Sequence, residues 1–192
     1  MDSDPDGAHS SVPPLGGLNI LALVIYIPGP LGRFLDDLRR ELVPYYNPHA
    51  HVSVLPPRPL AVDCHTVSER VRALLGAWAP FQVELTGLQV FPATDVLYLE
   101  LGAGAEKLHR MHDTMTGDPL DFHEPFPYHP HVTLAQEVAH ESMPALLELA
   151  SARWNEYRGP RAFRAERAVL VQNTSDNLWI DLAAYSLGSA ER

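Results

Sequence analysis

His49-Ala50-His51-Val52-Ser53-Val54 returns 80 residues later as His129-Pro130-His131-Val132-Thr133-Leu134. Each copy reads His-x-His-Val-hydroxyl-aliphatic. In an extended chain, side chains two residues apart share a face. Each copy therefore sets two imidazoles and a hydroxyl on one side, and Val52/Val54 or Val132/Leu134 on the other. That is the alternation of a strand with one face in a core and the other turned toward a cavity or solvent. Two matched copies imply a fold built twice, with one site lined from both sides.

The chain around each copy keeps the same order. Leu18 to Ile27 is a near-continuous aliphatic run, the pattern of a strand covered on both faces. Pro28-Gly29-Pro30 ends it. Phe34, Leu35, Leu38 and Leu42 then recur at helical spacing, with Asp36, Asp37, Arg39 and Arg40 expected on the outer side. Pro44 and the Asn47-Pro48 turn stop that helix before the first histidine strand. Pro56-Pro57-Arg58-Pro59 is a rigid exit, and Asp63 is placed to cap a helix striped by Val67, Val71, Leu74 and Leu75. Phe81 to Phe91 alternates with Gly87 interrupting, which predicts a strand with a bulge or turn. The second half repeats the succession. A strand over Val96 to Leu101 and a helix over Glu106 to Met115 lead through a Pro-rich loop, Pro119 to Pro130, into the second histidine strand. A helix over Met143 to Tyr157 and closing strands over Phe163 to Asn173 and Leu178 to Tyr185 complete it.

Strand, helix, histidine strand, helix, strand thus covers 18–91 and again 96–173, with one strand left over. The expectation is an α+β fold: bilobal, duplicated β-α-β-α-β lobes with pseudo-twofold symmetry around a central cleft. The lobes fall at roughly 18–95 and 96–187 of a single bilobal domain, with room for strands to be exchanged between them. Residues 1–17 read as a disordered leader and 188–192 as a tail.

At 192 residues the chain fills one core and is short for two independent domains. A single cysteine, Cys64, excludes an internal disulfide and a cysteine-rich zinc site, and reads as a small helix residue. The start of the chain is acidic, and its ten-residue apolar run is too short to span a bilayer, so the expectation is a cytoplasmic monomer with no membrane partner. The net charge of −10 comes from 24 acidic against 14 basic residues, with Lys107 the only lysine. Long nucleic acids are gripped by basic faces that neutralise phosphates, and no such block is present. Any nucleic-acid partner is therefore short or held at one end, although a local anion site is still allowed.

Two histidines flanking a phosphodiester suit in-line displacement. One neutral imidazole takes a proton from the nucleophile while the other, protonated, gives one to the leaving oxygen. Ser53 and Thr133 would donate to the phosphoryl oxygens, where charge accumulates. This chemistry needs no metal or cofactor. The four histidines could alternatively hold a metal ion, but no carboxylate flanks either pair and Pro130 disturbs the second, so His49 and His129 are placed at the rim. Tyr128 and Phe126, like Tyr45 and Tyr46 before the first copy, could stack on a base or anchor a loop. His109 and His112, three apart, read as a solvated helix face.

His51-Val52-Ser53-Val54 and His131-Val132-Thr133-Leu134 resemble the paired His-x-Thr/Ser-hydrophobic motifs of the two-histidine (2H) phosphoesterase superfamily. Within it, the chain is similar to the 2′-5′ RNA ligase-like proteins, also described as RNA 2′,3′-cyclic phosphodiesterases. The resemblance spans residues 18–185. It implies metal-independent opening of a 2′,3′-cyclic phosphate, on an RNA end or a nucleotide, to a 2′-phosphate, with the reverse reaction joining RNA ends. Carried over, His51 and His131 are the acid/base pair and Ser53 and Thr133 bind phosphate. The family scheme makes His131 the activator of water and His51 the proton donor to the departing 3′ oxygen. Many such proteins carry an arginine shortly after the second motif; here Gln136 follows Leu134-Ala135, and Arg58 is the candidate replacement cation. A non-catalytic phosphate- or nucleotide-binding module and a metal-dependent hydrolase are the competing readings.

Overall fold

The computed structural model describes residues 17–43, 49–59 and 62–188. The expected leader up to residue 16, the turn at Pro44 and Asn47-Pro48, Tyr45, Tyr46 and nearly all of the tail lie outside them, while Gly17, read as the leader's last residue, opens β1. Strands β1 (Gly17–Tyr26), β2 (His51–Pro59), β3 (Phe81–Phe91), β4 (Val96–Leu101), β5 (His131–Ala135), β6 (Ala162–Ala165), β7 (Arg167–Thr174) and β8 (Trp179–Ser186) form two four-stranded sheets. Helices α1 (Gly29–Leu42), α2 (Cys64–Gly76), α3 (Ala105–Met115) and α4 (Met143–Glu156) accompany them. The strand orders are β2-β1-β7-β8 and β5-β4-β3-β6, and every pairing is antiparallel. No helix among the described residues is long and apolar enough to cross a membrane.

The duplicated α+β order is present, with two differences from the sequence reading. The strand that closes the first half, β3, joins the second sheet beside β4. The stretch expected as one strand over 163–173 breaks at Glu166: β6 pairs with β3, and β7 crosses to pair with β1. Period-two alternation describes each piece well and carries no information about which sheet it joins. The irregularity expected near Gly87 is a register shift between Leu85 and Leu88 in an otherwise continuous strand.

Local chemistry explains the elements that seat the motifs. Pro28 and Pro30 start α1, and Leu31, Leu35, Leu38 and Leu42 bury its apolar stripe. Gly32 lets α1 close on the end of β1, since a Cβ there would lie 1.9 Å from the carbonyl oxygen of Ile27. Asp63 caps α2 by accepting from the backbone N–H groups of His65 and Thr66. Val52, Val54, Val132 and Leu134 are all within 1% of complete burial, in one core cluster shared by both sheets. Burying each such side chain contributes roughly 2 kcal/mol, which fixes the register of both histidine strands. A slip of one residue would turn the histidines inward.

Candidate active site

β2 and β5 are each the outer strand of their sheet, and they meet at the seam between the sheets. Their inward faces are the buried valines and leucine; His51, Ser53, His131 and Thr133 share the opposite face and are each half-buried. The structure thus brings together the four residues that the alternation selected.

Each ring is held in the same way. Nδ1 of His51 lies 2.7 Å from the carbonyl oxygen of His49, and Nδ1 of His131 lies 2.7 Å from that of His129. A carbonyl only accepts, so the proton sits on Nδ1 and the neutral ring presents the Nε2 lone pair. Among the described residues nothing bonds either Nε2. Burial pushes both imidazoles below their ordinary pKa, His51 down to about 4, with Arg39, His131 and His49 adding to the shift. Both rings are therefore neutral at pH 7.

The surroundings include residues that the sequence reading had placed elsewhere. Asp36, expected on the outer face of α1, accepts from the backbone N–H of Ala50 at 2.7 Å and lies 3.7 Å from Nδ1 of His49. It ties α1 to Ala50, the residue before His51. Arg39, also expected outside, is buried, 3.6 Å from Asp36. The pairing of Arg39 with Asp36 at i, i+3 is visible in the sequence; that the pair faces the first motif is not. Tyr26 stands across from His51 and meets both His49 and His51 edge-on. In the second half-site Glu100 stands across from His131, and its carboxylate bonds Nε2 of the rim residue His129 at 3.0 Å. Tyr98 and Phe91 stack at 4.0 Å and lie in T-shaped contact with His129 and His131. His49 is exposed and His129 half-exposed, as rim residues would be.

Two candidates do not join the site. Arg58 is 2% exposed, and its guanidinium is committed to Glu124 and to the carbonyls of Leu120 and Pro56. It sits five positions from Ser53, an odd count, so the alternation itself already placed it on the opposite face. Tyr128 is not free to stack on a base. Its ring lies flat against His112 at 3.9 Å and its hydroxyl donates to the carbonyl of Ser53 at 2.8 Å. His112 is in turn buried rather than solvated, with Nε2 donating to Glu124. Gln136 is exposed at the end of β5. No three His, Cys, Asp or Glu side chains among the described residues converge as a metal-holding group.

Residues 27–177 match the 2′-5′ RNA ligase superfamily. The RNA 2′,3′-cyclic phosphodiesterase of Aeropyrum pernix is 36% identical over 98 residues, covering 43% of this chain and 54% of that protein. The chain thus spans about half the length of this curated relative. In fold it is similar to E. coli LigT in complex with 3′-AMP, with a TM-score of 0.61 at 14% identity over 88% of this chain and 98% of that one. Usb1 of Kluyveromyces marxianus superposes with a TM-score of 0.55 at 18% identity, over 85% of this chain and 97% of its own. With the superfamily match running across both histidine motifs and most of the two sheets, the chain belongs to the 2′-5′ RNA ligase superfamily.

Proposed function

We propose that this protein is a metal-independent 2H phosphoesterase that hydrolyses 2′,3′-cyclic phosphates of RNA ends or nucleotides to 2′-phosphates, and that can join ends through a 2′-5′ linkage in reverse. One observation carries the reading. Two imidazoles, each locked as the Nδ1–H tautomer by the carbonyl two residues upstream, face one seam with a hydroxyl beside each. Nε2 of His131 takes a proton from water as its oxygen attacks phosphorus. The bond from phosphorus to the 3′ oxygen breaks, and Nε2 of His51 gives that oxygen a proton. The products are a 2′-phosphate and a 3′-hydroxyl, and solvent resets the two rings. Desolvation keeps His131 neutral and competent as a base at pH 7. The phosphodiester anion supplies the opposite charge that raises His51 from about 4 and loads it with its proton. Ser53 and Thr133 donate to the non-bridging oxygens, and the absence of a basic block in the sequence fits a short substrate.

The test is incubation with a short RNA ending in a 2′,3′-cyclic phosphate, and with free cyclic nucleotides, in EDTA. The expected product carries only a 2′-phosphate. A 3′-phosphate product, activity lost to EDTA, or binding of every substrate without turnover would overturn the proposal.

A further inference from the structure

Arg58 and Tyr128 lie off the site, yet they belong to one closed circuit of contacts that begins and ends on β2. Arg58 donates to the carbonyl of Leu120 at 3.1 Å and pairs with Glu124, while its guanidinium lies 5.6 Å from the ring centre of Phe122. Glu124 also accepts from Nε2 of His112 at 2.9 Å. The His112 ring stacks on Tyr128 with only 6° between their planes. Tyr128 returns to β2 through its hydroxyl, 2.8 Å from the Ser53 carbonyl. The strand from Ser53 to Arg58 closes the circuit.

Two physical needs meet here. β2 is an outer strand, so alternate carbonyls along it face away from β1 and need partners from outside the sheet, and Tyr128 supplies a donor to the Ser53 carbonyl. The segment from Pro119 to Pro130 has no helix or strand of its own, yet it must deliver His131 to a fixed place. A buried guanidinium paired with a carboxylate is a costly way to gain stability, and an apolar pair of the same volume would often serve better. Its forked donors do hold one loop geometry, which an apolar pair does not.

We propose that Arg58, Glu124, His112 and Tyr128 are positioning residues that set the spacing between the two half-sites. They act through the Ser53 backbone at one end and the loop into His131 at the other, and none of them touches substrate. The inference rests on the proposed function only in treating the two half-sites as one site.

Arg58→Met would strand Glu124 beside no cation and is expected to unfold the chain, so the test uses Tyr128→Phe and His112→Phe. Each keeps the stack; the first removes the bond to the Ser53 carbonyl, the second the bond to Glu124 together with the longer 3.5 Å contact to the exposed Asp113. Each should lower kcat about tenfold, with KM within about twofold, because small displacements of reacting groups act on the chemical step. The double variant should be little worse than either single one, since both cut the same circuit. Arg153→Ala, which breaks the exposed Arg153–Glu41 pair between α4 and α1, is the control. It should leave kcat and KM unchanged whatever it does to Tm. Proton NMR of the imidazole Cε1–H resonances reads the same device without turnover. The His51 and His131 signals should shift or broaden in Tyr128→Phe and stay fixed in Arg153→Ala. Wild-type kcat, KM and resonances in Tyr128→Phe would overturn the inference. A wild-type protein with no turnover would overturn the proposed function, while the NMR comparison still decides the positioning role.

Discussion

Across from His51 on the neighbouring strand stands Tyr26; across from His131 stands Glu100. Two positions further on, Val24 faces Ser53 where Tyr98 faces Thr133. The two half-sites share the frame that holds an imidazole and a hydroxyl in place. Both have the outer strand, the buried aliphatic face and the bond from Nδ1 to the carbonyl two residues back. They differ in what surrounds the ring. The first has the cation of Arg39, which pushes His51 further down; the second has the carboxylate of Glu100, which pulls His131 up against its burial. Duplication supplied the parts, and the neighbours give the two rings different work.

The largest effects should come from what the half-sites share. His51→Ala and His131→Ala should each cut turnover of a 2′,3′-cyclic phosphate by about 10³-fold with the fold intact by circular dichroism. Ser53→Ala and Thr133→Ala should each cost about 10²-fold in kcat, the usual cost of losing one donor to developing charge. A half-site whose loss is tolerated would break the symmetry on which the reading depends.

The next effect is on stability. His51 titrates at about 4 in the folded chain against about 6.5 unfolded. Between those values the unfolded chain binds more protons, so stability rises with pH and is lost as pH falls from 6.5 toward 4. For His51 the loss is at most about 3 kcal/mol, and His131 adds to it in the same direction. His51→Gln should therefore show a Tm that falls less on acidification than the wild type's. Parallel Tm curves would mean that burial does not hold the ring neutral.

The smallest effect sharpens the contrast itself. Glu100→Gln keeps an acceptor for His129 and removes the charge that raises His131. If His131 is the base, the acidic limb of kcat, which reports the substrate complex in which His51 carries its proton, should move to lower pH while the alkaline limb stays. Movement of the alkaline limb would exchange the two roles.

The sequence carried the shared half of this comparison and little of the contrast. His-x-His-Val-hydroxyl at period two is a local property of one strand, so it survives reading without a structure. The Asp63 cap and the bulge near Gly87 are local in the same sense. The partners are not local. Tyr26 and Glu100 reach the histidines through sheet pairing, and Asp36 and Arg39 arrive from α1, where Asp36 bonds the Ala50 N–H. The break at Glu166 sends β6 and β7 to different sheets, and both pieces read alike as alternating strand. Arg58 is the instructive error. Charge suggested a phosphate ligand, while its odd spacing from Ser53 already pointed it away from the site.

If the proposed function is right, the two half-sites hold one anion between them. Titrating the full chain with inorganic phosphate at neutral pH, with the Cε1–H resonances of His51 and His131 observed by NMR, tests it most directly. Both signals should move along one binding curve, and the pKa of His51 should rise from about 4. Movement of only one ring, or of the two with different dissociation constants, would contradict it.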